Sequence, residues 1–244
     1  MRPSRLAVLA LSLLTILATT VVAQGAPQPE GARLTLGSDT LIAFLVRGSD
    51  TTQIGRVVDE LSERSMNGRR VLHRIYRSDN QLSGPSLDTL IDEFEALRPI
   101  SQRSRSGRAI ELVEFTDRRA SGVVLQPTGD SLLVDVGLPQ TVFSSSSFDL
   151  VLRAAPLADG WTTTVPSFVT STRVVVPMHA RVAGTERIGA DECWRVEAEY
   201  MGMSVAFWVA QQSRKLCRQE MRVQAGITLL YRRPSEVRAL LGTT

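Results

Sequence analysis

The chain has 244 residues, 28 basic and 25 acidic side chains, a formal charge of +3 and 43% hydrophobic residues. Two of the arginines, Arg2 and Arg5, belong to an amino-terminal leader; without them the formal charge falls to +1, which removes the electrostatic footprint of a nucleic-acid binder. Lys215 is the sole lysine, an arginine bias that reflects base composition rather than bidentate anion recognition.

The leader places Arg2 and Arg5 before an uncharged run from Leu6 to Val22, followed by small residues up to Ala23. This is the pattern of a secretory signal peptide over residues 1–23, cleaved after Ala23. An uncleaved membrane anchor is the competing reading, because the run is as long as the shortest spanning helices. No cysteine follows the run, so no lipid-modified amino terminus is expected. The mature chain is expected in the periplasm or outside the cell, with no stable transmembrane segment.

Residues 24–32 are rich in Pro and Gly and read as a flexible lead-in. Residues 33–235 read as a single β-rich domain, since β sandwiches and barrels often reach this size as one unit; residues 236–244 read as a tail. Within the domain, GSDT occurs at Gly37–Thr40 and again at Gly48–Thr51, predicting turns at both ends of a strand over Leu41–Val46. Strands follow over Thr52–Arg64 and Arg69–Ser78, joined by Asn67-Gly68, a pair suited to a tight hairpin. Further strands are predicted over Leu87–Glu93, Leu97–Ser104, Arg108–Phe115, Ala120–Gln126 and Ser131–Val136. One short helix interrupts them over Ser147–Ala155, with Ser146 as its cap, Asp149 in its first turn and Pro156 as its stop. Phe148, Val151, Leu152 and Ala155 share one face of it, and at this length it needs a sheet to pack against. Strands resume over Trp161–Phe168 and Thr172–Val176.

The stretch from His179 to Arg233 carries the clearest signal, an antiparallel meander with apolar residues at every second position. Trp194, Val196, Ala198 and Tyr200 point to the core, while Arg195, Glu197 and Glu199 point to water. A turn at Met201-Gly202 sets Tyr200 against Met203, Ala198 against Val205, Val196 against Phe207 and Trp194 against Val209. The fold class is therefore all-β, a mostly antiparallel curved sheet with one short helix plugging its open side.

Chemistry is far less legible. His73 and His179 stand in no metal-ligand spacing, two cysteines alone cannot complete a zinc site, and no nucleophile elbow, P-loop or dinucleotide fingerprint occurs. No metal or cofactor is expected, and no enzymatic activity. Glu197 with Glu199, and Glu111 with Glu114, form carboxylate pairs that glycoside cleavage could use, but alternating charge on a wet face is the simpler account. Arg98, Arg103, Arg105 and Arg108 gather near one predicted turn and read as a solvated hairpin tip, with an anionic-lipid contact as the alternative. For Cys193 and Cys217, secretion favours a bridge, but the meander inserts a strand between them, about 9 to 10 Å of sheet spacing against a disulfide reach of roughly 7 Å. Free thiols are expected.

The segment from Phe148 to Phe168 and the meander, with Trp194, Val196, Trp208, Val209, Leu216 and Arg218 in a W-x-V strand and a W-V-x6-L-x-R hairpin, resemble a family of secreted bacterial proteins of unknown function. The turn at Gln211–Ser213 departs from the family's pattern in lacking Pro and Gly. The resemblance implies a curved half-barrel similar to the periplasmic lipoprotein-localisation carriers, sheltering an apolar or amphiphilic, lipid-like ligand. Trp194, Val196, Tyr200, Met203, Phe207, Phe148 and Leu152 are then the candidate ligand-binding residues. The alternative function is an envelope interaction module whose interior is fully packed and whose partner is another protein.

Overall fold

A computed structural model describes residues 28–138, 141–200, 202–224 and 226–241. The expected signal peptide and Met201 of the expected turn lie outside these residues. The chain first runs as eight consecutive antiparallel strands: β1 (Gly37–Arg47), β2 (Asp50–Met66), β3 (Arg69–Asn80), β4 (Gly84–Glu93), β5 (Pro99–Ser106), β6 (Ala109–Thr116), β7 (Arg119–Leu125) and β8 (Ser131–Gly137). The predicted hairpin between β2 and β3 forms where Asn67 and Gly68 take φ values of 51° and 74°, the left-handed pair a two-residue turn demands. The first GSDT, expected as a turn, instead opens β1, with Gly37 through Thr40 already paired to β2; only the second one turns the chain.

After β9 (Phe143–Ser144) and the helix α1 (Phe148–Ala154) come β10 (Thr162–Val169), β11 (Val174–Ile188), β12 (Asp191–Tyr200), β13 (Met203–Ala210), β14 (Leu216–Gln224), β15 (Ile227–Arg232) and the helix α2 (Pro234–Leu241). β15 returns to pair with β1, so that the described residues form one 15-stranded sheet with β8 and β9 at its ends. All four cross-strand pairs expected between β12 and β13 are present. Val196 and Ala198 are buried, and Trp194 and Tyr200 pack half-buried against the same core. The sheet curls, and its ends meet through side chains of Phe115, Val134, Leu138 and Phe168, with the Phe115 and Phe168 rings edge to face at 5.7 Å.

α1 fills the concavity. Phe148, Leu150, Val151, Leu152, Arg153 and Ala154 are all buried, so the helix is enclosed on every side rather than on the one face its sequence suggested. Its start also differs: a 3-10 turn at Ser145–Ser147 precedes it, and Ser144, not Ser146, supplies the capping oxygen, accepting from the Ser146 amide at 3.1 Å. Ser147 is thereby released to bond elsewhere.

The described residues of the two expected boundary segments, 28–32 and 236–241, make defined contacts. In the lead-in, the Glu30 amide donates to the Ala154 carbonyl at 3.1 Å and so caps α1. Gly31 is buried where a Cβ would overlap the Phe94 carbonyl, so close approach, not flexibility, is the reason for glycine there. At the other end, the tail expected from residue 236 begins inside α2, whose Glu236 bonds Arg218.

The expectation of free thiols is overturned, because Cys193 and Cys217 form a disulfide with Cα atoms 7.1 Å apart. β13 does separate β12 from β14, but Trp208 faces Arg218 while Val209 faces Leu216, leaving Cys217 as the extra residue of a bulge. A bulge bends its strand and sharpens the twist. Cys193 lies opposite Ala210, where β13 ends. Bend and strand end together bring the pair closer than flat-sheet spacing allows, on the outer face beside Ile188, Trp208 and Ala210. Alkylation in denaturant should add no label without reductant and two labels after reduction. Replacing both cysteines by serine should lower the unfolding free energy by about 3 kcal/mol, measured by urea denaturation, as expected for closing a loop of this length.

Candidate functional site

Strand alternation decides which side chains enter the concavity, and it sends in several charged ones. Arg74 lies between inward Leu72 and Tyr76 on β3; Asp88 and Asp92 flank inward Leu90 on β4; Asp39 and Asp59 take the same side of β1 and β2. Burying a charge is costly unless it is paired, and the pairing here is dense. Arg74, 3% exposed, donates from Nε to Asp59 Oδ1 at 2.7 Å and from Nη2 to Asp59 Oδ2 at 3.2 Å. It donates to Asp149 of α1 at 2.7 and 2.9 Å, and to the Ser146 carbonyl at 3.1 Å. All five donors of the guanidinium are used.

Arg153 closes the group. Its Nη1 donates to Asp59 Oδ2 at 3.2 Å and stands 3.6 Å from Asp149, while its Nε donates to the Arg214 carbonyl at 2.9 Å. Burial alone would raise the Asp59 carboxyl, but the Arg74 and Arg153 guanidiniums outweigh it and hold the group below the usual carboxylate value. Arg74 likewise stays charged, because Asp149 and Asp59 overcome its own burial. The four charges clamp helix to sheet. Replacing Arg74 by Met strands two buried carboxylates on one remaining guanidinium and should destabilise the fold by about 3 to 5 kcal/mol in urea titration. Adding Asp149→Asn to that variant should restore part of the loss.

Beyond the clamp lies a second polar group. Asp92, 1% exposed, accepts from the Ser147 hydroxyl at 3.0 Å through Oδ2, while Oδ1 is buried without a partner. Burial pushes its carboxyl up to about 7. Gln102 bridges the Ser144 hydroxyl at 2.6 Å and Glu111 at 3.0 Å. Burial raises both Asp88 and Glu111, and the proximity of Asp88 raises Glu111 further. A group raised in the folded state contributes stability that is complete below its unfolded value and lost as pH climbs through the folded one. For Asp92 the window runs from about 3.8 to about 7. Stability should therefore decline across that range, and Asp92→Asn should flatten the decline, with a difference on the order of a few kcal/mol at pH 8 measured by denaturation at several pH values.

Between α1 and the sheet is a cavity of about 260 Å³. Leu41, Val57, Phe148, Met178, Val205 and Phe207 give it an apolar wall, joined by the rings of Tyr76 and Tyr200. Asp39, Asp59, Asp88, Asp149, Arg74 and Arg153 supply its charges. Of the expected ligand-binding residues, Phe148, Tyr200 and Phe207 line this space. Val196 and Leu152 are buried in the surrounding core, and Trp194 packs against it; Met203, at the start of β13, is half-buried and does not line the space. The residues that sequence reasoning missed are the charged ones. Their signal was parity: Arg74, Asp88 and Asp92 stand in step with buried leucines, two residues away.

Of the carboxylate pairs considered from sequence, Glu111 and Glu114 part, while Glu197 and Glu199 stay together on the outer face. Glu111 faces inward and Glu114 is exposed, as three-residue spacing on a strand dictates. Glu197 is engaged by Arg181 and Arg195 on the outer face. The arginine cluster also divides: Arg98 bonds Glu93 at 2.6 Å at one end of β5, whereas Arg105 and Arg108 stand at the other. Among the described residues, no group of three or more His, Cys, Asp or Glu side chains is arranged to hold a metal, and no helix is long and apolar enough to cross a membrane.

The motif residues have structural duties. Trp208 faces Arg218 across β13 and β14, with the Arg218 guanidinium 5.2 Å from its ring and Arg195 at 5.6 Å, while its indole nitrogen donates to Glu186 at 2.7 Å. Val209 and Leu216 pair on the core side. A family described as "Protein of unknown function (DUF3108)" matches residues 47–230. Among solved structures, a beta-barrel-like protein of domain of unknown function DUF1849 from Brucella abortus is similar at 14% identity and a TM-score of 0.48, over 82% of this chain and 97% of that one. No curated protein matches the chain.

Proposed function

The chain belongs to the DUF3108 family, and within that family we propose that it is a non-catalytic envelope protein, exported by its amino-terminal leader, that shelters a small apolar or amphiphilic ligand between α1 and the curved sheet. The cavity of about 260 Å³ carries this reading. Its apolar wall removes a hydrocarbon portion from water, while its charges lie together where β1–β4 meet α1 and orient a polar end. Small-molecule sites ordinarily span about 300–1,000 Å³, so the space suits one short chain or ring system rather than a whole phospholipid. A protein-docking module with a completely filled interior accounts less well for such a void.

Organic extraction of natively purified protein followed by mass spectrometry is the test. A single class of small amphiphile at near-stoichiometric amount is the expected result. Protein that emerges empty and takes up no short-chain alcohol or amphiphile on titration would overturn the reading.

A further inference from the structure

The cavity's charges discriminate between the kinds of amphiphile it can take. Four aspartates and two arginines line it, a formal excess of two negative charges. Arg74 is fully committed, and Arg153 is committed through Nε and Nη1. Every N–H of Arg74 is spent on Asp59, Asp149 and the Ser146 carbonyl, and Arg153 is held by Asp59, Asp149 and the Arg214 carbonyl. A carboxylate or phosphate head would have to break the clamp to gain Arg74, and would meet the remaining aspartates as like charges.

Those remaining carboxylates are differently placed. Asp88 has no guanidinium bonded to it; its partner is the Ser104 hydroxyl, and burial raises it. Asp39 has only Lys215, at 3.5 Å and 29% exposed. Glu111 stands close enough to Asp88 to raise both the charge density and its own proton affinity. The rings of Tyr200, Phe148 and Phe207 line the same space, and aromatic faces attract cations; the Tyr76 ring already carries the Arg74 guanidinium at 4.8 Å. An ammonium head placed there gains carboxylate partners and ring faces without disturbing the clamp.

We propose that the ligand is a cationic amphiphile: a short apolar chain or ring carrying an amine or quaternary ammonium, with Asp88 and Asp39 receiving the cation and Phe148, Tyr200 and Phe207 covering the apolar part. This rests on the cavity reading above and specifies its ligand class. Lipid-like anions, fatty acids among them, are the wrong sign.

Three probes of equal chain length separate the two claims. Octylammonium, 1-octanol and octanoate are titrated into the purified protein at pH 7 and low ionic strength, with heat and tryptophan fluorescence as readouts. Octylammonium should bind at least about tenfold more tightly than octanoate, with octanol between them. Asp88→Asn should weaken octylammonium about fivefold or more and leave octanol unchanged, which also reports an intact cavity; Asp39→Asn should act in the same direction. Octanoate binding as tightly as octylammonium, or an Asp88→Asn variant that holds the amine as well as the parent, would overturn the cationic assignment and leave the cavity reading standing. Failure of all three probes would sink both.

Discussion

The structure depends on a guanidinium placed where strand parity ordinarily puts a leucine. Arg74 reaches from β3 to Asp59 on β2 and to Asp149 on α1, so one planar group ties together two strands and the helix that fills their concavity. A seven-residue helix has no independent stability. α1 persists because its apolar side chains are enclosed, its first turn is bonded to Arg74, and its last carbonyls are met by the Glu30 amide and by Arg214. Directionality is what the clamp adds. Hydrophobic burial alone would tolerate rotation of α1 about its axis, whereas a bidentate fork holds Asp149, and with it the adjacent Phe148, toward one wall of the cavity.

The concave surface is consequently divided. The strands from β11 to β14 contribute Met178, Ala198, Val205, Phe207 and Leu216 and no charge, while β1 to β4 contribute Asp39, Asp59, Arg74 and Asp88 beside Leu41 and Val57. α1 lies along the border between the two, with Phe148 edge to face with Phe207 at 5.9 Å and Asp149 on the polar side. A cavity bounded in this way is amphiphilic by construction. Two buried carboxyls are treated differently: Arg74 and Arg153 hold Asp59 below the usual carboxylate value, while Asp92, bonded only to the Ser147 hydroxyl, is pushed by burial up to about 7.

How much of this was legible in the sequence varied with how local the cause was. The β12–β13 register was readable because alternation fixes facing and a short turn fixes pairing, so Trp194 met Val209 as expected. The bulge at Cys217 was not, since an extra residue in a strand leaves the alternation looking merely imperfect while shortening the span to Cys193. α1 was found by its stop and its acidic first turn, but its cap was placed two residues late because the preceding 3-10 turn has no distinct composition within a run of serines. The polar interior was hidden for a different reason. Charged residues in strands usually face water, and only the partners, up to 94 positions apart in sequence, make Asp59 and Arg153 tolerable inside.

The sheet's two terminal strands meet without a ladder between them. No strand pairing joins β8 to β9 among the described residues; the contact consists of Phe115 against Phe168 and the aliphatic side chains around them, supplemented by Arg173 donating to the Leu133 carbonyl at 3.3 Å and the Ser144 hydroxyl donating to Gln102. Everywhere else around the wall, parting two neighbours breaks a row of backbone hydrogen bonds. Along this line it breaks two hydrogen bonds made by side chains and otherwise exposes apolar groups, a process whose free energy is proportional to area and weakens on cooling. The wall is therefore a hoop with a clasp: its circumference is set by covalent and hydrogen-bonded links for most of the turn, and its aperture by the one place where the solvent, rather than the backbone, holds it shut.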